Sequence, residues 1–204
     1  MIKKSYFIKV YNFTQVLGTI FISSIAFLLL FKAIQRYAEN DSSLLPVSQL
    51  ISSIFEKIIA LFQLISIAAP ILLIVLLFPE IINRLRNDSL LNLGESYIGT
   101  LRFRRFLKQT QQLPRANNQA NVKLQIENSS VTRFNQAVRK SVLDLTQDQL
   151  KLFIKVPKEA QAQKILKEHE EQIKEHAASL YSDYIISTFE RKKFSLWLIG
   201  TKRS

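Results

Sequence analysis

Residues 58–78 read IIALFQLISIAAPILLIVLLF, without a single charged side chain. At about 1.5 Å per residue, a helix of this length crosses the roughly 30 Å hydrocarbon core of a bilayer. A second uncharged run, VYNFTQVLGTIFISSIAFLLLF at 10–31, precedes it, and everything after residue 78 has the mixed composition of a soluble domain. The pattern predicts a membrane α-hairpin of two transmembrane helices carrying a small C-terminal two-layer α/β domain. Residues 1–79 are expected to form the anchor, 80–118 a basic juxtamembrane segment and linker, and 119–204 the soluble domain.

The chain has 204 residues and a formal charge of +12. Where the charge sits matters more than its sum. Much of the excess lies beside the apolar runs, at Lys3, Lys4 and Lys9 before the first and at Arg84, Arg86, Arg102, Arg104, Arg105, Lys108 and Arg115 after the second. The connector 32–57 balances Lys32, Arg36 and Lys57 against Glu39, Asp41 and Glu56, and its centre, ENDSSLLPVSQ, has the composition of a turn. The positive-inside rule then predicts a multi-pass plasma-membrane protein with both termini cytoplasmic and the connector outside. A basic start followed by an apolar run also fits a signal peptide. This run is longer than a usual h-region, however, and no clean Ala-x-Ala site follows it, which favours an uncleaved anchor.

Within the spans, Thr14, Gly18, Ser23 and Ser24, with Ser66, Ala68 and Ala69, are small enough to let two helices approach closely, or are simply ordinary membrane-helix composition. Pro70 is a candidate kink, and Gln63 a packing or oligomer contact. After the second span, Tyr97, Ile98, Leu101 and Leu107 recur near helical spacing among Arg102, Arg104, Arg105 and Lys108. The expectation is a basic amphipathic helix on anionic headgroups; a solvated stalk, a nucleic-acid contact and a strand through Leu101 and Phe103 are the alternatives. PRANNQAN reads as a linker.

In the soluble domain VKLQIE, with Val122, Leu124 and Ile126 alternating, predicts a strand. Ser129 or Ser130 is placed to cap a helix through Leu145, and LKLFIKV predicts the next strand. A long helix over 158–181 follows, and YIISTFE and KFSLWLIG form a terminal hairpin separated by 190–193. The expected order is β-α-β-α-β-β.

The chain has no cysteine and four glycines. Thiolate metal sites, disulfides and cysteine nucleophiles are excluded, and neither a Walker A loop nor Gly-x-Ser-x-Gly is present. His169 and His176 lie seven apart in a run of alternating charge, which is poor metal spacing. No catalytic residue, cofactor or metal is expected. The suggestive surface pattern is Lys151, Phe153 and Lys155, an aromatic between cations that would stack a base and neutralise phosphates unless another element covers it. Trp197 and Phe194 in the hairpin are expected in the core or against a partner.

Two N-terminal spans, a basic juxtamembrane segment and a small α/β domain resemble, as an order of parts, the membrane-proximal portion of the FtsK/SpoIIIE-like coupling ATPases of Gram-positive conjugation systems. The Walker sequences of the motor are missing. The resemblance implies a non-catalytic membrane adaptor for a separate motor ATPase in DNA transfer. An interaction or regulatory subunit unrelated to DNA is the other reading of the same residues.

Overall fold

The computed structural model describes residues 4–40, 45–111 and 118–203, with side chains for 4–37, 53–111 and 127–203. Two compact units emerge, one of residues 9–82 and one of residues 1–8 with 83–204.

The first unit is built from α1 (Tyr6–Asn40) and α2 (Leu45–Asn87), which runs unbroken through Pro70 and Pro79. Both are long and apolar enough to cross a membrane, over Tyr6–Tyr37 and Ser53–Asn87. In the most apolar window of each helix only 11% is buried. A core helix of a soluble protein would be mostly covered, so these helices present their apolar side chains outward. The two meet antiparallel through rings: Phe27 stacks on Phe62 at 5.4 Å, and Phe31 lies 5.9 Å from Phe62 and 5.6 Å from Phe55. The hydroxyls of Thr14, Ser24 and Ser66 donate to carbonyls three residues back, at Tyr11, Phe21 and Gln63, so each is satisfied within its own helix. Gly18 has nothing within 4 Å of where a Cβ would stand, so it is not a point of close approach. The centre of the expected connector, 41–44, lies outside the described residues.

The second unit contains α3 (Leu90–Leu107), α4 (Asn118–Val138), β1 (Val142–Leu145), β2 (Gln149–Lys155), α5 (Ala160–Glu168), α6 (Glu170–Leu180), β3 (Tyr184–Ile186), β4 (Glu190–Lys192) and β5 (Ser195–Lys202). The strands form one antiparallel sheet in the order β1-β2-β5-β3, with β4 also paired to β5. Leu143, Leu150, Leu152, Ile154, Leu196 and Leu198 point to one face, where Phe103, Leu107, Phe134, Leu166, Ile173 and Ala177 from the helices close the core. Period-2 alternation in β2 and β5 makes that face.

The class, helices on a small sheet, agrees with the expectation, but the element order differs. VKLQIE is helical, within α4. Three alternating apolar residues span under two helical turns, and the Ser130 expected to cap a helix instead donates its hydroxyl to Glu159 Oε1 at 3.1 Å while the helix runs on. That helix ends at Val138 rather than reaching Leu145, because Val142, Leu143, Asp144 and Leu145 are all buried as a strand against β2. The long helix over 158–181 divides at His169, which joins α5 to α6. Residues 190–193 do not separate two hairpin arms; Glu190–Lys192 is itself β4, pairing with the first half of β5 while β3 pairs with the second. Of the expected linker, 114–117 lie outside the described residues and 118–121 begin α4. The segment set apart as juxtamembrane supplies α3, whose Phe103 and Leu107 belong to the core of the α/β unit.

Candidate functional site

β1 is an edge strand, and an open edge leaves backbone amides and carbonyls without partners. α3 supplies them from side chains. Leu143 N donates to Thr100 Oγ1 at 2.9 Å, Leu145 N donates to Ser96 Oγ at 2.9 Å, and Arg104 Nε donates to Ser141 O at 2.8 Å. The register works because four residues of helix rise about 6 Å while two residues of strand advance about 6.8 Å. Ser96, Thr100 and Arg104, four apart, therefore serve strand positions two apart. Ser96 and Thr100 pass their own protons to Asn92 O and Ser96 O, at 2.6 and 2.7 Å.

Such contact requires the helix to come close, and Gly99 permits it. A Cβ there would stand 2.3 Å from Tyr181 Oη and 2.5 Å from Leu143 Cδ2. Burial, with the charge of Glu95, pushes the Tyr181 hydroxyl up to about 12. Gly99→Ala is expected to destabilise the unit by about 1–3 kcal/mol through overpacking, less up to about 1 kcal/mol of gained helix propensity. Urea unfolding of the detergent-solubilised full chain, followed by emission of the single tryptophan, Trp197, measures it.

A buried charge centre lies at the same strand. Arg84, only 2% exposed, donates to Asp88, to Asp144 and to Leu145 O. Asp88 also accepts from Asn92 Nδ2 at 2.6 Å and Gln147 N at 2.9 Å. Burial works against the Asp88 carboxylate, but hydrogen bonds from Asn92, Arg84 and the Ser89 and Gln147 amides outweigh it and hold its pKa below the ordinary value. Phe7 lies beside this centre, 6.0 Å from the guanidinium and edge-on to Tyr97 at 5.2 Å.

The cations expected on one amphipathic surface divide between two roles. Arg104 is half-buried on β1, whereas Arg102, Arg105 and Lys108 are exposed on the outer side of α3. Leu90, Leu91, Ile98 and Leu101 are exposed there too. The second set does not form an open face. Phe153 is 6% exposed, with Trp197 at 5.1 Å and the Lys4 ammonium 3.9 Å above its ring. The stacking surface a base would use is occupied, and Lys151 and Lys155 flank it half-buried. Trp197 is itself buried, so the exposed aromatic of that hairpin is Phe194.

Nor do His169 and His176 converge. His169 donates from Nδ1 to Ile165 O and accepts at Nε2 from Gln109, while His176 stacks on Phe106 at 4.0 Å, where burial lowers its pKa. Among the described residues no three His, Asp or Glu are grouped to hold a metal ion. Ser96 and Thr100 were missed from sequence, and Arg84 was read only as a cation beside the span; their signal was a polar residue at every fourth position from Arg84 (84, 88, 92, 96, 100, 104).

The fold and surface thus define a pair of outward-facing apolar helices joined to an α/β unit with a helix-sealed sheet edge. No protein-family model, curated protein or solved structure matches the chain.

Proposed function

We propose that the chain is a two-span membrane adaptor with cytoplasmic termini, whose α/β unit is held against anionic lipid by the outer side of α3 and retains a protein partner there. The observation that carries the reading is the composition of that side: Leu91, Ile98 and Leu101 exposed beside Arg102, Arg105 and Lys108, on a helix that starts three residues after α2 ends. Aliphatic side chains enter the headgroup boundary while cations contribute about 1 kcal/mol each near an anionic surface. The buried polar groups described above all serve the fold, which favours a holding role over a catalytic one.

Because the native chain has no cysteine, a single Ile98→Cys substitution accepts an environment-sensitive fluorophore at one site. In nanodiscs containing anionic lipid the full chain should show blue-shifted emission, quenched by a lipid-borne quencher. The shift should shrink as salt shortens the Debye length below about 8–10 Å. Arg102→Gln, Arg105→Gln and Lys108→Gln together should abolish it. Emission characteristic of water, unchanged between anionic and zwitterionic nanodiscs, would remove the lipid contact from the proposal.

A further inference from the structure

The β4–β5 hairpin turns in two residues, Lys193 and Phe194, between the paired Lys192 and Ser195. Lys193 has φ 52°, the only positive φ at a non-glycine among the described residues. Phe194 O accepts from Val156 N at 2.9 Å, which fixes the backbone to the end of β2, while its side chain leaves the residue 65% exposed. A large aromatic ring is thus held out in solvent on an anchored main chain. Around it the sheet register gathers positive charge. Lys155 pairs with Ser195 and Ser195 with Lys192, so these three residues form a row across neighbouring strands about 4.8 Å apart. Lys158, Arg191 and Lys193 are exposed at the same end, and Lys4 stands near enough to Lys155 for that charge, after burial, to lower its pKa. Glu190 lies on β4 itself and Glu170 lines a cleft with Arg191, while Glu159 pairs with Arg133 at 2.8 Å. The aromatic-between-cations pattern that is covered at Phe153 therefore recurs, uncovered, at Phe194.

We infer that this hairpin end is a binding site for single-stranded nucleic acid, with Phe194 as the stacking ring and Lys155, Lys192 and Lys193 as the phosphate contacts. The choice of this polyanion over a bilayer rests on the α3 reading above. α3 packs on β1, so its outer side looks away from the sheet, and β4 lies beyond β5 on the opposite side of the sheet. A bilayer held by the outer side of α3 meets the edge of the sheet remote from the hairpin. At the hairpin, an unpaired base offers the planar face that an exposed ring can stack on, and its backbone offers the charge. A duplex hides those faces.

The test uses the full chain in uncharged detergent and fluorescence anisotropy of a labelled oligothymidylate of about 15 nucleotides. Binding is expected at low salt, and should weaken roughly twentyfold over a fourfold rise in salt if three phosphates are neutralised. Phe194→Ala should cost about tenfold or more in affinity, since one base loses its stack. Lys155→Gln, Lys192→Gln and Lys193→Asn together should flatten the salt dependence; Asn is chosen at 193 because it tolerates a positive φ. Phe194→Gly is a second probe of the ring if Ala alters the turn. The α3 variant bearing Arg102→Gln, Arg105→Gln and Lys108→Gln should bind the oligonucleotide like the unaltered chain. This separates failure of the two readings, since the Ile98 fluorophore reports lipid alone. No binding at low salt would overturn the inference. So would equal affinity for a duplex, binding insensitive to Phe194 and the lysines, or capture of anionic nanodiscs that is lost with Phe194→Ala.

Discussion

Arg84→Ala is expected to lower the stability of the α/β unit by about 3–5 kcal/mol, because it strands two buried carboxylates, Asp88 and Asp144, with their counter-charge gone. Urea unfolding of the full chain in detergent reads the loss through Trp197, which is buried in the sheet. The arithmetic of buried ion pairs supplies a control. Arg84→Met combined with Asp144→Leu removes one of the two carboxylates together with the arginine and leaves Asp88 on its Asn92 and Gln147 hydrogen bonds, so it should recover part of the lost stability; recovery no better than Arg84→Ala would assign the loss to packing around the arginine. The pH response follows from Asp88. Its folded carboxyl titrates below the ordinary 3.8, so its contribution is complete above that value and disappears as pH falls through the lowered one. With Arg84 replaced, one of the hydrogen bonds that depress it is lost, and the acid transition should move to higher pH.

The second large effect is expected at the sealed edge. Ser96→Ala with Thr100→Val keeps nearly the same volume but removes the acceptors for Leu145 N and Leu143 N. Each buried amide left without a partner costs about 1–3 kcal/mol, so the pair should cost about 2–6. Hydrogen exchange at those two amides offers an independent measure, since both should lose protection before the β2–β5 ladder does. Unaltered protection would mean that water or a neighbouring group replaces the hydroxyls at no cost.

These residues also mark where sequence reasoning succeeds and where it stops. The apolar helices were legible because exclusion of charge over a bilayer's thickness is a strong signal that few other structures need. β2 and β5 were legible because one face is leucine and isoleucine, at Leu150, Leu152, Ile154, Leu196 and Leu198, up to Gly200. α3 was legible as an amphipathic helix from Tyr97, Ile98, Leu101 and Leu107. Ile98 and Leu101 are exposed beside the cations, but Leu107 is in the core, and the buried side, which carries Ser96, Gly99 and Thr100 beside Phe103 and Leu107, was not foreseen. A helix laid on a strand edge must satisfy backbone groups, so its contact side is small and polar, and an apolar-equals-buried rule points the wrong way. VKLQIE failed for a related reason, since six residues of alternation do not outweigh the helix that continues through Asn128 and Ser129. The surface pattern at Lys151, Phe153 and Lys155 was visible as chemistry, but the Lys4 that covers it comes from the opposite end of the sequence.

The cover of β1 has a consequence for how the chain is made. α3 ends at Leu107 and β1 begins at Val142, so the helix leaves the ribosome before the strand whose edge it closes. At about 5–20 residues per second, the interval between them is roughly 2–7 s. When the nascent strand emerges, its hydrogen-bonding partner is already waiting in the same molecule, and neighbouring nascent chains on the polysome meet a sealed edge rather than a template for pairing.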